Sequence, residues 1–178
     1  MKMKSTILTL TVFLFFILST ESTAQSYKSA VGLRLGVPNS ISFKTFINES
    51  GALEATVGTR RYGYGGFGFG SSFGYRTWII SGSYQIHKPL TIADVEGLEY
   101  YFGGGLSANF WSYDGDFRDE SDTSVNLGIQ GYIGLSYSFD ELPINLTLDW
   151  VPTVLVNGIR GGFGAGYGSL GVRYIFSR

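Results

Sequence analysis

The sequence predicts an all-β protein, an eight-stranded antiparallel up-and-down barrel whose strands cross a membrane. Three observations carry that expectation. From Leu127 to Phe139, Leu127, Ile129, Gly131, Ile133, Leu135, Tyr137 and Phe139 alternate with Gly128, Gln130, Tyr132, Gly134, Ser136 and Ser138. This is the period of two expected of a strand with one apolar and one polar face. Its length, about a dozen residues, suits a tilted crossing of a bilayer, which takes about 9–11. Seven further segments share the period. Finally, only 15% of the residues are charged, against about 25% in ordinary soluble domains. The chain is rich in glycine and aromatics, and no apolar run is long enough for a spanning helix.

The chain opens with Lys2 and Lys4, an apolar run from Ile7 to Leu18 and a small-residue site at Ser22-Thr23-Ala24. That is the layout of a secretory signal peptide, too short to span a bilayer. The expected division is therefore a leader over 1–24 and a mature barrel domain over 25–178. There is no cysteine, which excludes a lipid-modified cysteine anchor and any disulfide framework. Without Lys2, Lys4 and Glu21 the 13 positive and 14 negative residues of the full chain become 11 and 13. A balance near −2 with no basic stripe argues against nucleic-acid binding.

In the first strand Val31, Leu33, Leu35 and Val37 alternate with Gly32, Arg34 and Gly36, and Pro38-Asn39-Ser40 predicts a tight turn. The second strand, Ile41 to Ile47, sets Ser42, Lys44 and Phe46 on the other face from its apolar positions. Asn48 to Gly51 turns the chain, and Leu53, Ala55 and Val57 oppose Glu54, Thr56 and Gly58 in the third strand. Residues 61–74 interleave glycine with aromatics. No Walker lysine follows, so the stretch reads as a loop rather than a phosphate cradle.

The fourth strand, Arg76 to His87, puts Trp78, Ile80, Tyr84 and Ile86 opposite Ile79, Ser81, Ser83, Gln85 and His87. The fifth, Leu98 to Phe110, sets Tyr100, Phe102, Leu106 and Phe110 against Glu99, Tyr101, Ser107 and Asn109. An acidic loop over 112–124 precedes the sixth strand, Leu127–Phe139. In the seventh, Ile144, Leu146, Leu148 and Trp150 oppose Asn145, Thr147 and Asp149. A glycine-rich loop around 158–166 leads to the eighth, where Leu170, Val172, Tyr174 and Phe176 oppose Gly171, Arg173 and Ile175.

Long connections fall mostly at one end and short ones at the other. Outer-membrane barrels show this pattern, with long extracellular loops, short periplasmic turns and both termini periplasmic. A secreted lipocalin-like barrel carrying a small hydrophobic ligand would share the period but with its apolar face inward. Two features favour lipid on the outside. The polar face carries about one charge per strand, below the roughly 25–35% of a wet surface. Aromatics of the apolar face gather near strand ends: Tyr84, Tyr100, Tyr137, Phe139, Tyr174 and Phe176 toward one, Trp78, Phe110 and Trp150 toward the other. Two aromatic girdles are expected where rings meet headgroups.

Arg34, Lys44 and Arg173, with Glu54, Glu99 and Asp149, then point into the lumen. Because charges there are tolerable only when paired, the expectation is an ion-pair network that plugs the barrel, with Arg34 and Arg173 brought together by closure. A narrow diffusion pore is the alternative if the network leaves a passage.

The chain resembles the small outer-membrane β-barrel proteins of OmpA/OmpX-like architecture abundant in Bacteroidota. The resemblance rests on the Thr23-Ala24-Gln25 junction, Y-Y-F-G-G-G-L at 100–106, L-D-W-V-P at 148–152 and G-V-R-Y-I-F at 171–176. It implies lipid and the outer-membrane assembly machinery as partners and names no extracellular ligand. That machinery reads a C-terminal strand ending in an aromatic, whereas here Phe176 is followed by Ser177-Arg178.

No enzyme and no cofactor is expected. His87 is the single histidine, and Ser83 on the same face is about 13 Å away along a strand, too far for a nucleophile–base pair. Lys88-Pro89 suggests that His87 caps a turn. Asp114, Asp116, Asp119, Glu120 and Asp122 lack the glycine and terminal glutamate of an EF-hand and read as a solvated loop.

Overall fold

A computed structural model describes residues 27–63, 74–90, 95–113, 124–156 and 162–177. These form β1 (Ser29–Gly36), β2 (Asn39–Phe46), β3 (Gly51–Gly63), β4 (Gly74–Pro89), β5 (Leu98–Tyr113), β6 (Ser124–Ser138), β7 (Ile144–Leu155) and β8 (Gly162–Ser177). Each strand pairs antiparallel with the next, and β1 pairs with β8, so the sheet closes on itself. Closure leaves no edge strand to recruit another chain. The leader expected over 1–24 lies outside the described residues, as do the acids expected to be a solvated loop at 114–122.

Several strands run further than their hydrophobic alternation suggests. β3 and β4 stay paired to Gly63 and Gly74, β5 continues to Tyr113, and β8 begins at Gly162. The expected loops at 61–74, 112–124 and 158–166 are therefore shorter, because hairpin pairing carries glycine-rich or polar backbone that has no apolar pattern of its own. The turn expected at Pro38-Asn39-Ser40 is also tighter. β2 starts at Asn39, whose side-chain Oδ1 accepts the Gly36 N–H at 3.1 Å. The register of β7 with β8 shifts between Val151 and Thr153, around Pro152, which has no N–H to give the ladder.

The barrel's faces are those of a soluble barrel reversed. Outward side chains are apolar and open: Leu33, Ile41, Leu106, Ile133 and Leu148 are each more than half exposed. The interior is buried and mostly polar, with Ser42, Lys44, Glu54, Gln85, Tyr101, Asn145, Thr147 and Arg173 at 2% exposure or less. Inward glycines make room for these side chains. A Cβ on Gly134 would lie 2.9 Å from the Tyr101 ring and 2.6 Å from the Leu148 carbonyl.

One end of the barrel, the terminal end, carries the start of β1, the end of β8 and the connections before β3, β5 and β7; the other, the loop end, carries the remaining four connections. The terminal end is closed by rings stacked along the interior. Tyr27 meets Phe46 edge-on at 5.1 Å, Phe46 meets His87 at 4.9 Å, and His87 stacks on Tyr101 at 4.8 Å and 12°. Ala30, Ala52 and Ile175 complete this cluster around Tyr27 and Phe46. The small side chains of Ala30 and Ala52 leave the width that two rings need.

The buried ion network as candidate functional site

At the centre of the interior, between the aromatic stack and the loop end, lie the buried charges. Each is held there by strand period: Arg34, Lys44, Glu54, Asp149 and Arg173 occupy inward positions on β1, β2, β3, β7 and β8. Closure sets Gly32 opposite Arg173 and Arg34 opposite Gly171, and these glycines give the two guanidinium stems room to cross the bore.

Glu54 is the hub. Arg173 Nη2 donates a short hydrogen bond to its Oε1, Arg34 Nη1 approaches the same oxygen at 3.4 Å, Lys44 Nζ lies 3.6 Å from Oε2, and Gln85 Nε2 donates to Oε2 at 2.7 Å. Asp149 takes Arg34 Nη2 on both oxygens at 2.6 and 2.7 Å, the Ser169 hydroxyl at 2.6 Å and the Tyr101 hydroxyl at 2.5 Å. Arg173 also donates to Ser42 and Thr147, each at 2.9 Å. Every carboxylate oxygen of this centre thus faces donors. That is the condition under which charges persist in a medium too poor in water to solvate them.

Glu99 stands apart from this hub. Its Oε2 accepts from His87 Nδ1 at 2.8 Å, while Lys44 Nζ lies 3.4 Å from His87 Nε2 and 4.5 Å from the centre of the Tyr101 ring. The contacts fit a neutral imidazole carrying its proton on Nδ1, with Nε2 accepting from the ammonium. His87 is therefore not a turn cap. It is fully buried and bridges Lys44 to Glu99. Lys88-Pro89 does not turn the chain at His87, because Pro89 is still the last residue of β4. His87 shares its face with Ser83 and Gln85, and that period alone places it inside. Tyr101, Gln85 and Ser169 are further members of the network; polar type and inward period mark each of them.

The proposed aromatic rings all lie on the outer, apolar face. Trp78 opposes Phe110, Phe43 stacks on Phe176 at 6.2 Å, and Tyr137 meets Phe139 edge-on at 4.7 Å. Tyr100 and Tyr174 are near the terminal end, and Tyr84 lies further in, opposite Leu53 and Gly104. Trp150 is not level with Trp78 and Phe110. It opposes Ile133, eight positions along β6 from Val125, which faces Phe110. β7 extends to Leu155, so Trp150 falls in mid-strand rather than at its end.

Among the described residues no group of three or more histidine, cysteine, aspartate or glutamate side chains is placed to hold a metal ion.

The fold is that of outer-membrane β-barrel structures. The chain is similar to the N-terminal β-barrel domain of Pseudomonas aeruginosa OprF at 14% sequence identity and a TM-score of 0.54, over 84% of this chain and 96% of that one. It is also similar to Neisserial surface protein A, NspA, at 18% identity and a TM-score of 0.50, over 84% of this chain and 94% of that one. No family model and no curated protein matches the sequence.

Proposed function

We propose that this chain is a non-enzymatic outer-membrane protein, exported by its N-terminal leader and inserted as a barrel with lipid around it. Its bore is plugged by the Arg34–Glu54–Arg173–Asp149 network, and its role is structural or one of surface interaction through the connections at the loop end. The observation that carries the reading is the reversal of faces. A belt of open aliphatic side chains running around a closed barrel far exceeds the apolar patches that soluble proteins tolerate, whereas a bilayer solvates it. The outer rings at Trp78, Phe110, Tyr100, Tyr137, Tyr174 and Phe176 fit headgroup contacts at the two interfaces. The lipocalin-like alternative needs an apolar bore, and this bore holds buried charges and amides instead.

Two measurements test the proposal. Cell fractionation should recover the protein only in detergent-soluble envelope, with heat-modifiable gel mobility; recovery in salt-washed supernatant overturns the membrane reading. In planar bilayers the purified protein should give no sustained current, and steady conductance at the nanosiemens scale overturns the plug in favour of a diffusion pore.

A further inference from the structure

The interior is not uniform along its axis. Below the network, toward the termini, packed rings and fully buried amides fill the bore. Above it, toward the loop end, lies a cavity of about 60 Å³. Its floor is Arg34 and Ser169, and its upper wall includes Val37 and Pro38 of the β1–β2 turn. We propose that this cavity is a blind, hydrated binding chamber for water and small uncharged hydrogen-bonding solutes, entered from the loop end and stopped by Arg34–Asp149. The proposal rests on the plugged-barrel reading.

Three observations define what the chamber takes. Its walls set the hydroxyls and amides of Thr56, Ser81, Asn109, Gln130, Tyr132 and Thr153 among apolar side chains such as Ile79, Val151 and Leu155. Their mutual bonds do not exhaust them. The Thr56 and Ser81 hydroxyls lie 2.6 Å apart and share one hydrogen, which leaves the pair another donor and spare lone pairs. Gln130 Nε2 reaches Thr153 only at 3.3 Å, and of the two contacts of Asn109 Nδ2 the one to the Asn126 carbonyl is 3.1 Å and the one to Ser107 only 3.4 Å. Water competes readily with bonds of that length.

Charge is the second determinant. Among the described residues Arg34 is the one ionised side chain in the lining, and its guanidinium already faces Asp149, Glu54 and Ser169. An ionic guest would bring a charge without a counter-charge into a cleft whose few waters replace only part of its hydration shell. Volume is the third. At about 10–15 Å³ for each water by this measure, the chamber holds about four to six waters or a solute of a few heavy atoms, such as urea.

The contrast below the floor is sharp. Gln85 Nε2 donates to Glu54 at 2.7 Å and to Ser83 at 3.0 Å, and Asn145 Nδ2 donates to Ser136 at 2.8 Å and to Ser138 at 3.0 Å. Both residues are fully buried.

The wild-type protein in detergent micelles allows a test without substitution, because the two zones each carry side-chain amides visible by NMR. The carboxamide protons of Asn109 and Gln130 should exchange with bulk water at least tenfold faster than those of Gln85 and Asn145. Added urea should shift only the Asn109 and Gln130 resonances, and added acetate or guanidinium should shift neither pair. Slow exchange at all four amides overturns the chamber and leaves the plug standing. Rapid exchange at all four overturns the plug, and the chamber's floor with it. A response to acetate or guanidinium at Asn109 or Gln130 overturns the stated preference for uncharged guests.

Discussion

Arg34 and Asp149 lie 115 residues apart in sequence and meet through one guanidinium nitrogen, which contacts both carboxylate oxygens at 2.6 and 2.7 Å. They sit on β1 and β7, so the contact crosses over β8, whose Ser169 bonds to both partners. The pair therefore ties three strands at the barrel's closing seam.

Asp149→Ala leaves Arg34 with only Ser169 and the 3.4 Å approach to Glu54, strands the Tyr101 hydroxyl, and should destabilise the protein by about 3 kcal/mol, the lower end of the cost of halving a buried pair. Arg34→Met combined with Asp149→Leu should recover most of that loss, because an apolar pair of similar volume brings no uncompensated charge. Urea unfolding in lipid vesicles, followed by tryptophan fluorescence, measures both. A loss below about 1 kcal/mol for the single variant means that the pair behaves as an exposed one.

Ile133 projects outward from mid-strand between Phe102 and Trp150. Ile133→Arg should cost about 2–4 kcal/mol, whereas Val125→Arg, near the start of β6, should cost about 0–1. Folding yield into vesicles of fixed composition reads the difference. Equal tolerance at the two sites contradicts a lipid-facing exterior.

Replacing His87 with phenylalanine keeps a ring against Tyr101 but removes the donor to Glu99. Glu99 Oε1 already has no hydrogen-bonding partner among the described residues, so the variant leaves both oxygens unpartnered. The expected loss is about 1–3 kcal/mol, largely restored by adding Glu99→Leu. Additive effects in that double-mutant cycle would show that His87 and Glu99 are not coupled.

Gly134→Ala should be felt and Gly82→Ala should not. A methyl on Gly134 would press on the Leu148 carbonyl and the Tyr101 ring, while one on Gly82 meets nothing within 4 Å. Overpacking typically costs about 1–3 kcal/mol, and the shifted Tyr101 should also lose its bond to Asp149. Thermal gel-shift midpoints of the two variants compare them directly, and equal midpoints would argue against the close approach at Gly134.

Much of the architecture was legible because a period of two is unambiguous. It assigned Arg34, Lys44, Glu54 and Arg173 to one face and Ile41, Ile133 and Leu148 to the other. Pairing was harder to read, since each contact depends on register and on the reach of a long side chain. The separation of Glu99 from the Glu54 hub follows from the interposed His87, not from any local pattern. Strand ends in glycine-rich stretches carried no alternation to read, which hid the start of β8 at Gly162 and the mid-strand position of Trp150.

The closing seam also sets an order of events. Seven of the eight strand pairings join neighbours in sequence, while β1 with β8 spans the whole barrel. Hairpins can form early at small entropic cost, but the last pairing must wait for the C-terminal strand. Arg34 reaches Ser169, and Arg173 reaches Ser42 and Glu54, only across that seam. Until it shuts, the network's ions keep their water, so their desolvation coincides with the final step of assembly. A shut barrel reopens only by separating ions already stripped of solvent.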